Sequence, residues 1–241
     1  LARSACCCYG GGRKPMSLSH LAFILDGNRR WAKSKGLPTL EGHRRGYDNL
    51  KTIGLACLER GVTHITAFVF STENWNRSSE EVSYLMDLLY KAIADEIGFF
   101  MENDIRLKVV GRREGLSDKL RSAIAEAEAG TAANKRGQMN LCLNYGGRAE
   151  IVEAVKAVVA GGVRPEEITE DLLASKLWTA GIPDPDLIIR TSGEHRLSGF
   201  LTWSGVYSEL LFVDKHWPDF DAEDLDAALE EYENRERRFG K

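Results

Sequence analysis

The sequence has no basic surplus: its 241 residues carry 32 Lys and Arg against 36 Asp and Glu, a formal charge of -4. Such a chain lacks the field that holds a polyanion, so nucleic acid is excluded as a partner and any anionic ligand must be met by local arginine clusters. Long apolar runs are missing too. Stretches such as Leu21 to Leu25 fall far short of the roughly 20 residues that cross a bilayer, which predicts a soluble chain with no transmembrane segment. Cysteines number five, and Cys6, Cys7 and Cys8 are adjacent, giving neither spaced disulfide partners nor the gaps of a structural zinc site. Cys57 and Cys142 read as small buried hydrophobes in a reducing cytoplasm. There is no fixed-period repeat, which excludes a solenoid, and the 43% hydrophobic content excludes a disordered chain.

What is present suits one globular domain. Leu1 to Pro15 is Gly- and Cys-rich without the apolar core of a secretory signal, so it reads as a disordered leader or tag; Met16 looks like a natural start, and the domain is expected over 16–241. Beyond it, short apolar runs (His20 to Leu25, His64 to Phe70, Ile105 to Val110, Met139 to Leu143, Leu187 to Ile189, Glu209 to Val213) alternate with segments of helical spacing. The latter are Gly42 to Glu59, Ser79 to Met101, Ser117 to Lys135, Arg148 to Val159, Thr169 to Trp178 and Ala222 to Arg238. This alternation predicts an α/β fold, a central parallel sheet flanked by helices. The helix from Ser79 is the clearest, with a capping box in which Ser78 and Glu81 satisfy each other's backbone amides.

Ligands of such sheets collect beyond the C-terminal strand ends. The first strand runs into Asp26-Gly27-Asn28-Arg29-Arg30-Trp31: a metal-capable carboxylate, a glycine that lets the chain turn, amides opening a helix, and two arginines suited to phosphate. An Asp-Gly turn before a solvated basic helix is the plainer reading of this hexapeptide alone. The second strand leads into Phe70-Ser71-Thr72-Glu73-Asn74-Trp75-Asn76-Arg77, in which Ser71 and Asn74 can orient a substrate or water and Arg77 can pair with an anion; Trp75 by itself suggests packing. Asp186-Leu-Ile-Ile-Arg190-Thr-Ser-Gly-Glu194-His-Arg196-Leu197-Ser198 repeats the theme, and Glu209, entering the last strand, is expected to bring a second carboxylate to the same edge. Asp184 and Asp186 read as turn and cap residues, and His43 alone reads as a surface or helix-start histidine. There is no G-x-x-x-x-G-K-[ST] and no G-x-G-x-x-G after the first strand, which removes the P-loop and the dinucleotide fingerprint. Asn28 stands where an aspartate-pair phosphatase needs its second carboxylate. Strand-end arginines, a metal-capable carboxylate and no nucleotide motif suit a diphosphate ligand.

These motifs, together with Asn144-Tyr-Gly-Gly-Arg148 and Tyr207-Ser-Glu-Leu210, resemble in content and order the cis-prenyltransferases, in particular the bacterial undecaprenyl (isoprenyl) diphosphate synthases, from about His20 to Gly240. The resemblance implies condensation of an allylic diphosphate such as farnesyl diphosphate with isopentenyl diphosphate, to a long-chain polyprenyl diphosphate serving as a cell wall lipid carrier. Short-chain synthesis and a non-catalytic partner subunit are the alternatives. It further implies Mg²⁺ held by Asp26, with Glu209 contributing. Gly27, Asn28, Arg29 and Arg30 would cradle the allylic diphosphate with His43 nearby, and Trp31 would also bind substrate. Ser71, Asn74 and Arg77 would lie beside the reacting carbons, with Asn74 helping to remove the proton, and Thr72, Glu73 and Trp75 would bind substrate. Arg190, Arg196, Leu197 and Ser198 would hold isopentenyl diphosphate, joined by Arg238 and Gly240 from the partner in a homodimer. A peripheral membrane contact would serve product release. Thr39 stands where many relatives carry an arginine, leaving Lys35 or Arg44 to replace it, and Ser204-Gly205 replaces a bulkier pair. The apolar face of the Ser79 helix is expected to wall a product tunnel, with Ala92, Ala94 and Gly137 leaving room in it.

Overall fold

The computed structural model describes residues 18–235, so the expectations for Leu1 to Pro15, Arg238 and Gly240 lie outside the described residues. Six strands form one sheet in the order β3-β4-β2-β1-β5-β6: β1 (His20–Ile24), β2 (His64–Ser71), β3 (Ile105–Val110), β4 (Gly137–Tyr145), β5 (Leu187–Arg190) and β6 (Glu209–Phe212). Every pairing is parallel. The central strands are covered on both faces, and all five residues of β1 are buried, whereas the edge strand β3 exposes Arg106 and β6 is half-buried along its length. Side chains alternate between two cores: Leu21 and Phe23 join Ile53, Phe70, Ile93 and Trp217 on one face. Ala22 and Ile24 join Cys142, Tyr145, Ile188 and Phe200 on the other.

The helices are α1 (Asn28–Ser34), α2 (Thr39–Glu59), α3 (Ser79–Ala94), α4 (Ile97–Glu102), α5 (Asp118–Gly130), α6 (Gly147–Ala160), α7 (Glu170–Ala174) and α8 (Ala222–Asn234). The single helix expected from Ser79 to Met101 is two. Asp95 closes α3, and Glu96 turns to accept the Lys51 ammonium at 2.7 Å. Ile93 and Phe100 enter the same core from either side of the break, so the apolar spacing runs on across it. α2 docks tightly on α1 because Gly42 and Gly46 have no side chain: a Cβ on Gly42 would lie 2.1 Å from the Asn28 carbonyl oxygen, and one on Gly46 2.5 Å from Asn28 Oδ1.

The chain leaves β1 for β2 on one side and returns through β5 on the other. Strand order therefore reverses at β1, and the crevice beyond the C-terminal ends of β1 and β5 is the natural ligand position of the fold.

Candidate functional site

Gly27 turns the chain out of β1 with φ +100, and a Cβ there would lie 2.5 Å from Ser192 Oγ and 2.8 Å from His216 Nδ1. Asp26 is fixed by that turn. Its main-chain oxygen accepts from Thr191 Oγ1 (2.7 Å) and the Trp217 amide (3.0 Å). Its carboxylate accepts from the Gly27 amide and Arg190 Nη2, each at 2.7 Å, and pairs with Arg30 at 3.2 Å. Burial pushes the Asp26 carboxyl up, but the Arg190 hydrogen bond and charge, aided by Arg30, outweigh it and hold it below the ordinary range.

Arg190 is the hinge of the site. Buried at 4% exposure, it reaches Asp26 with one nitrogen and the Arg196 carbonyl (2.5 Å) and Ser198 Oγ (2.9 Å) with another, while its Nε is buried without a partner. Glu194 ties the flanking arginines together, pairing with Arg30 at 3.1 Å and Arg196 at 2.5 Å.

A cleft of about 580 Å³ opens beside Asp26, bounded by Gly27, Asn28, Arg29, Arg30, Lys33, Thr39, His43 and Arg77. Glu81 organises its cationic wall: it accepts from Arg77 at 2.9 Å, meets His43 Nε2 at 3.2 Å and lies 3.6 Å from Arg29. Burial, then the charge of Arg77, keeps His43 below its usual range against the opposing pull of Glu81, so the imidazole is neutral near pH 7. On the other side of Arg190, a second cleft of about 670 Å³ is lined by Ser71, Thr72, Glu73, Asn74, Arg148 and Ser198. Asn74 Oδ1 accepts the Ser71 amide at 3.0 Å, closing the loop after β2 into a short 3₁₀ turn over Thr72–Asn76. A narrow apolar recess of about 70 Å³ shares Leu25 and His43 with the first cleft and runs between Tyr47, Leu50, Leu85, Leu89 and Ala92.

Several sequence expectations are placed differently. Within one chain Glu209 does not meet Asp26. It is the first residue of β6, in register with Leu187, whereas Asp26 follows the end of β1, where Ile24 pairs with Arg190. Three residues of a parallel strand separate the two levels by about 10 Å, at opposite ends of the sheet, and Glu209 pairs instead with Arg235 at 2.8 Å. Trp31 is outside the cleft, buried with its Nε1–H on Asp219 at 2.7 Å. Leu197 packs on the second core. The Ser78–Glu81 capping box is half formed: Ser78 Oγ accepts the Glu81 amide, but the Glu81 carboxylate turns to Arg77 and His43. Arg44 is spent on Glu41 and Asp48, and Lys33, one helical turn beyond Arg29, lines the same cleft as Thr39. Gly137 lies at the start of β4, against Leu58 and the Thr63 carbonyl, away from the recess. Asp186 accepts the Ser19 and His20 amides, the structural part expected of it. Glu81, Lys33 and Glu194 are the site residues that pattern reading missed; Lys33 alone carried a signal, its i,i+4 spacing from Arg29.

The undecaprenyl diphosphate synthase family model matches residues 24–240. The chain belongs to that family. Among its curated relatives, the isoprenyl transferase of Chromobacterium violaceum is 49% identical over 230 residues, 95% of this chain and 90% of that one. That of Brucella abortus is 48% identical over 225 residues, 92% and 89%. Two solved structures share the fold of this prenyl transferase. Lavandulyl diphosphate synthase from Lavandula x intermedia, in complex with dimethylallyl diphosphate, has a TM-score of 0.89 at 37% identity, covering 93% of this chain and 98% of that one. A probable undecaprenyl diphosphate synthase from Campylobacter jejuni has a TM-score of 0.79 at 31% identity, covering 93% and 99%. In the described residues of the transferase, no helix is long and apolar enough to cross a membrane.

Proposed function

We propose that the transferase condenses an allylic diphosphate with isopentenyl diphosphate, in a Mg²⁺-dependent reaction, to a long-chain polyprenyl diphosphate. The observation that carries this reading is Arg190, which hydrogen-bonds the Asp26 carboxylate of one polar cleft and Ser198 of the other, with an apolar recess opening from the first. That arrangement suits two diphosphates side by side and a hydrocarbon tail between α2 and α3.

The donor set fits Mg²⁺ arriving with a diphosphate. Among the described residues no three His, Cys, Asp or Glu side chains form a ready metal cage, and Mg²⁺ is commonly held by one or two carboxylates with substrate phosphates and water. Asp26 would hold it, and when bound it would stabilise charge growing on the departing diphosphate. Arg29, Arg30, Lys33 and Arg77 bring preorganised positive charge to the same leaving group. Arg196 and Ser198 hold the second diphosphate, and fixing both substrates replaces an encounter by an oriented approach. Asn74 has its Oδ1 on the Ser71 amide, so its amide donors orient the reactants beside the carbon that loses a proton.

The narrowness of the recess favours a second reading, a short product. Tyr47 Oη donates to the Ala92 carbonyl at 3.4 Å and holds α2 against α3 where a lengthening chain has to pass. Chromatography of products from labelled isopentenyl diphosphate, with allylic primers of two lengths and with Mg²⁺ added or chelated, tests both. Long products that need Mg²⁺ support the first reading, products of ten or fifteen carbons the second, and no incorporation removes both.

A further inference from the structure

In the Asn144-Tyr-Gly-Gly-Arg148 turn between β4 and α6, Gly146, Gly147 and Arg148 line the second cleft, whereas Asn144 has no part in the chemistry above, yet both substrate loops rest on this turn. Asn144, 4% exposed and in the left-handed region at φ +50, accepts the Trp75 indole N–H on Oδ1 at 2.8 Å. Its Nδ2 donates to the carbonyls of Arg112 (3.2 Å) and Glu114 (2.9 Å). A non-glycine residue holds that backbone only where its surroundings enforce it. Two residues on, Gly146 leaves room for Thr72, whose Oγ1 lies 2.6 Å from where a Cβ would be. Gly147 donates its amide to the Gly199 carbonyl at 2.7 Å, and a Cβ on it would lie 2.2 Å from Thr202 Oγ1. The loop bearing Ser71 and Asn74 is thus seated on Asn144 and Gly146, and the loop bearing Arg196 and Ser198 on Gly147.

We propose that Asn144, through the Trp75 indole, and the Gly146-Gly147 pair form the positioning element that sets the separation of the two substrate loops, so that Asn144 governs the approach of the reacting carbons without touching either substrate. The proposal rests on the two-diphosphate reading of the clefts. Misplacement by about an ångström costs on the order of a hundredfold in rate while leaving each binding step nearly intact.

The test compares Asn144→Gly, which keeps the left-handed backbone, with Trp75→Phe, which keeps a smaller aromatic ring and loses the indole N–H, and with the double variant. Trp75 is 38% exposed, so its variant leaves the core closed and serves even if Asn144→Gly does not fold. The readouts are kcat, the Kd of isopentenyl diphosphate alone, and the Trp75 indole N–H proton resonance. The expectation is a fall in kcat of about ten- to a hundredfold in each single variant, Kd within about threefold, and a double variant no worse than the worse single one. Asn144→Gly should also shift the indole resonance. A Trp75→Phe kcat within twofold of the parent enzyme, losses that multiply in the double variant, or an unmoved indole resonance would each overturn it. Failure of the parent enzyme to incorporate isopentenyl diphosphate is a separate result, against the functional reading, and the indole resonance still reports the Asn144 link.

Discussion

Asp26 and Arg190 define each other. Removing the carboxylate outright would strand a guanidinium that is only 4% exposed, an unpaired buried charge. Asp26→Asn is therefore the cleaner probe: it keeps an acceptor for Arg190 and loses the charge. Turnover at saturating Mg²⁺ should fall about a hundred- to a thousandfold, mainly in kcat, since the lost charge matters most as the leaving group ionises. A near-normal kcat would remove Asp26 from the metal and leaving-group role. Acid should act first elsewhere. His20 is buried, with Nε2 on Thr66 Oγ1 and Nδ1 on the Pro183 carbonyl, and burial lowers its pKa to about 4. Between pH 6.5 and 4 the unfolded chain then binds a proton that the folded one refuses, so stability is full above about pH 6.5 and declines toward pH 4, by about 3 kcal/mol in all. His43, also lowered, adds in the same direction. Asp26, with its folded value depressed, contributes stability that is present above about pH 3.9 and lost only as the pH falls through the lower folded value. Urea midpoints at pH 7 and pH 5 check this: His20→Gln should start less stable and show a flatter decline, and an unchanged decline would put the acid sensitivity on another group.

At the scale of elements, what could be read from the sequence were features of burial, and what could not were features of direction. Strands covered on both faces announce themselves by continuous apolar runs, and all six were legible within two residues at either end. Glu209 misled because a residue that opens a parallel strand lies at the opposite end of the sheet from one that follows a strand. Glu81 misled because the capping pattern is local, whereas the pull of Arg77 and His43 depends on how α3 meets α2. Periodicity likewise could not sort Ala92 from Gly137. Ala92 is 2% exposed and lines the recess, whereas a Cβ on Gly137 lies 2.3 Å from Leu58 and 3.1 Å from the Thr63 carbonyl. The two substitutions should separate. Ala92→Leu should shorten the product distribution with the first condensation kept. Gly137→Leu should cost about 1–3 kcal/mol of stability by overpacking, seen as a lower denaturation midpoint, with product length unchanged. Equal shortening by both would mean that the recess reaches the start of β4.

For the whole molecule, the question is whether one chain holds a complete site. Beside the edge strand β6, Val206 and Tyr207 are 68% and 79% exposed, on the rim of a depression that also includes Trp203 and Ile182. An apolar rim of this kind suits a second copy of the chain, as the homodimer implied by the resemblance requires. The same resemblance sends Arg238 across that interface to the partner's isopentenyl diphosphate, a charged hydrogen bond worth roughly 1.5–3 kcal/mol, so Arg238→Ala should weaken use of isopentenyl diphosphate about ten- to a hundredfold. Complementation decides whether the contact is made in trans. In a hybrid of Asp26→Asn and Arg238→Ala chains, one site takes Asp26 from the Arg238→Ala chain and Arg238 from the Asp26→Asn chain, and so is intact; the other carries both lesions. Mixing the two variants after subunit exchange should therefore restore up to about a quarter of the parent activity, because half the dimers are hybrid and half of each hybrid's sites are whole. Verified exchange with no recovery would place Arg238 in its own chain's site or outside the site altogether.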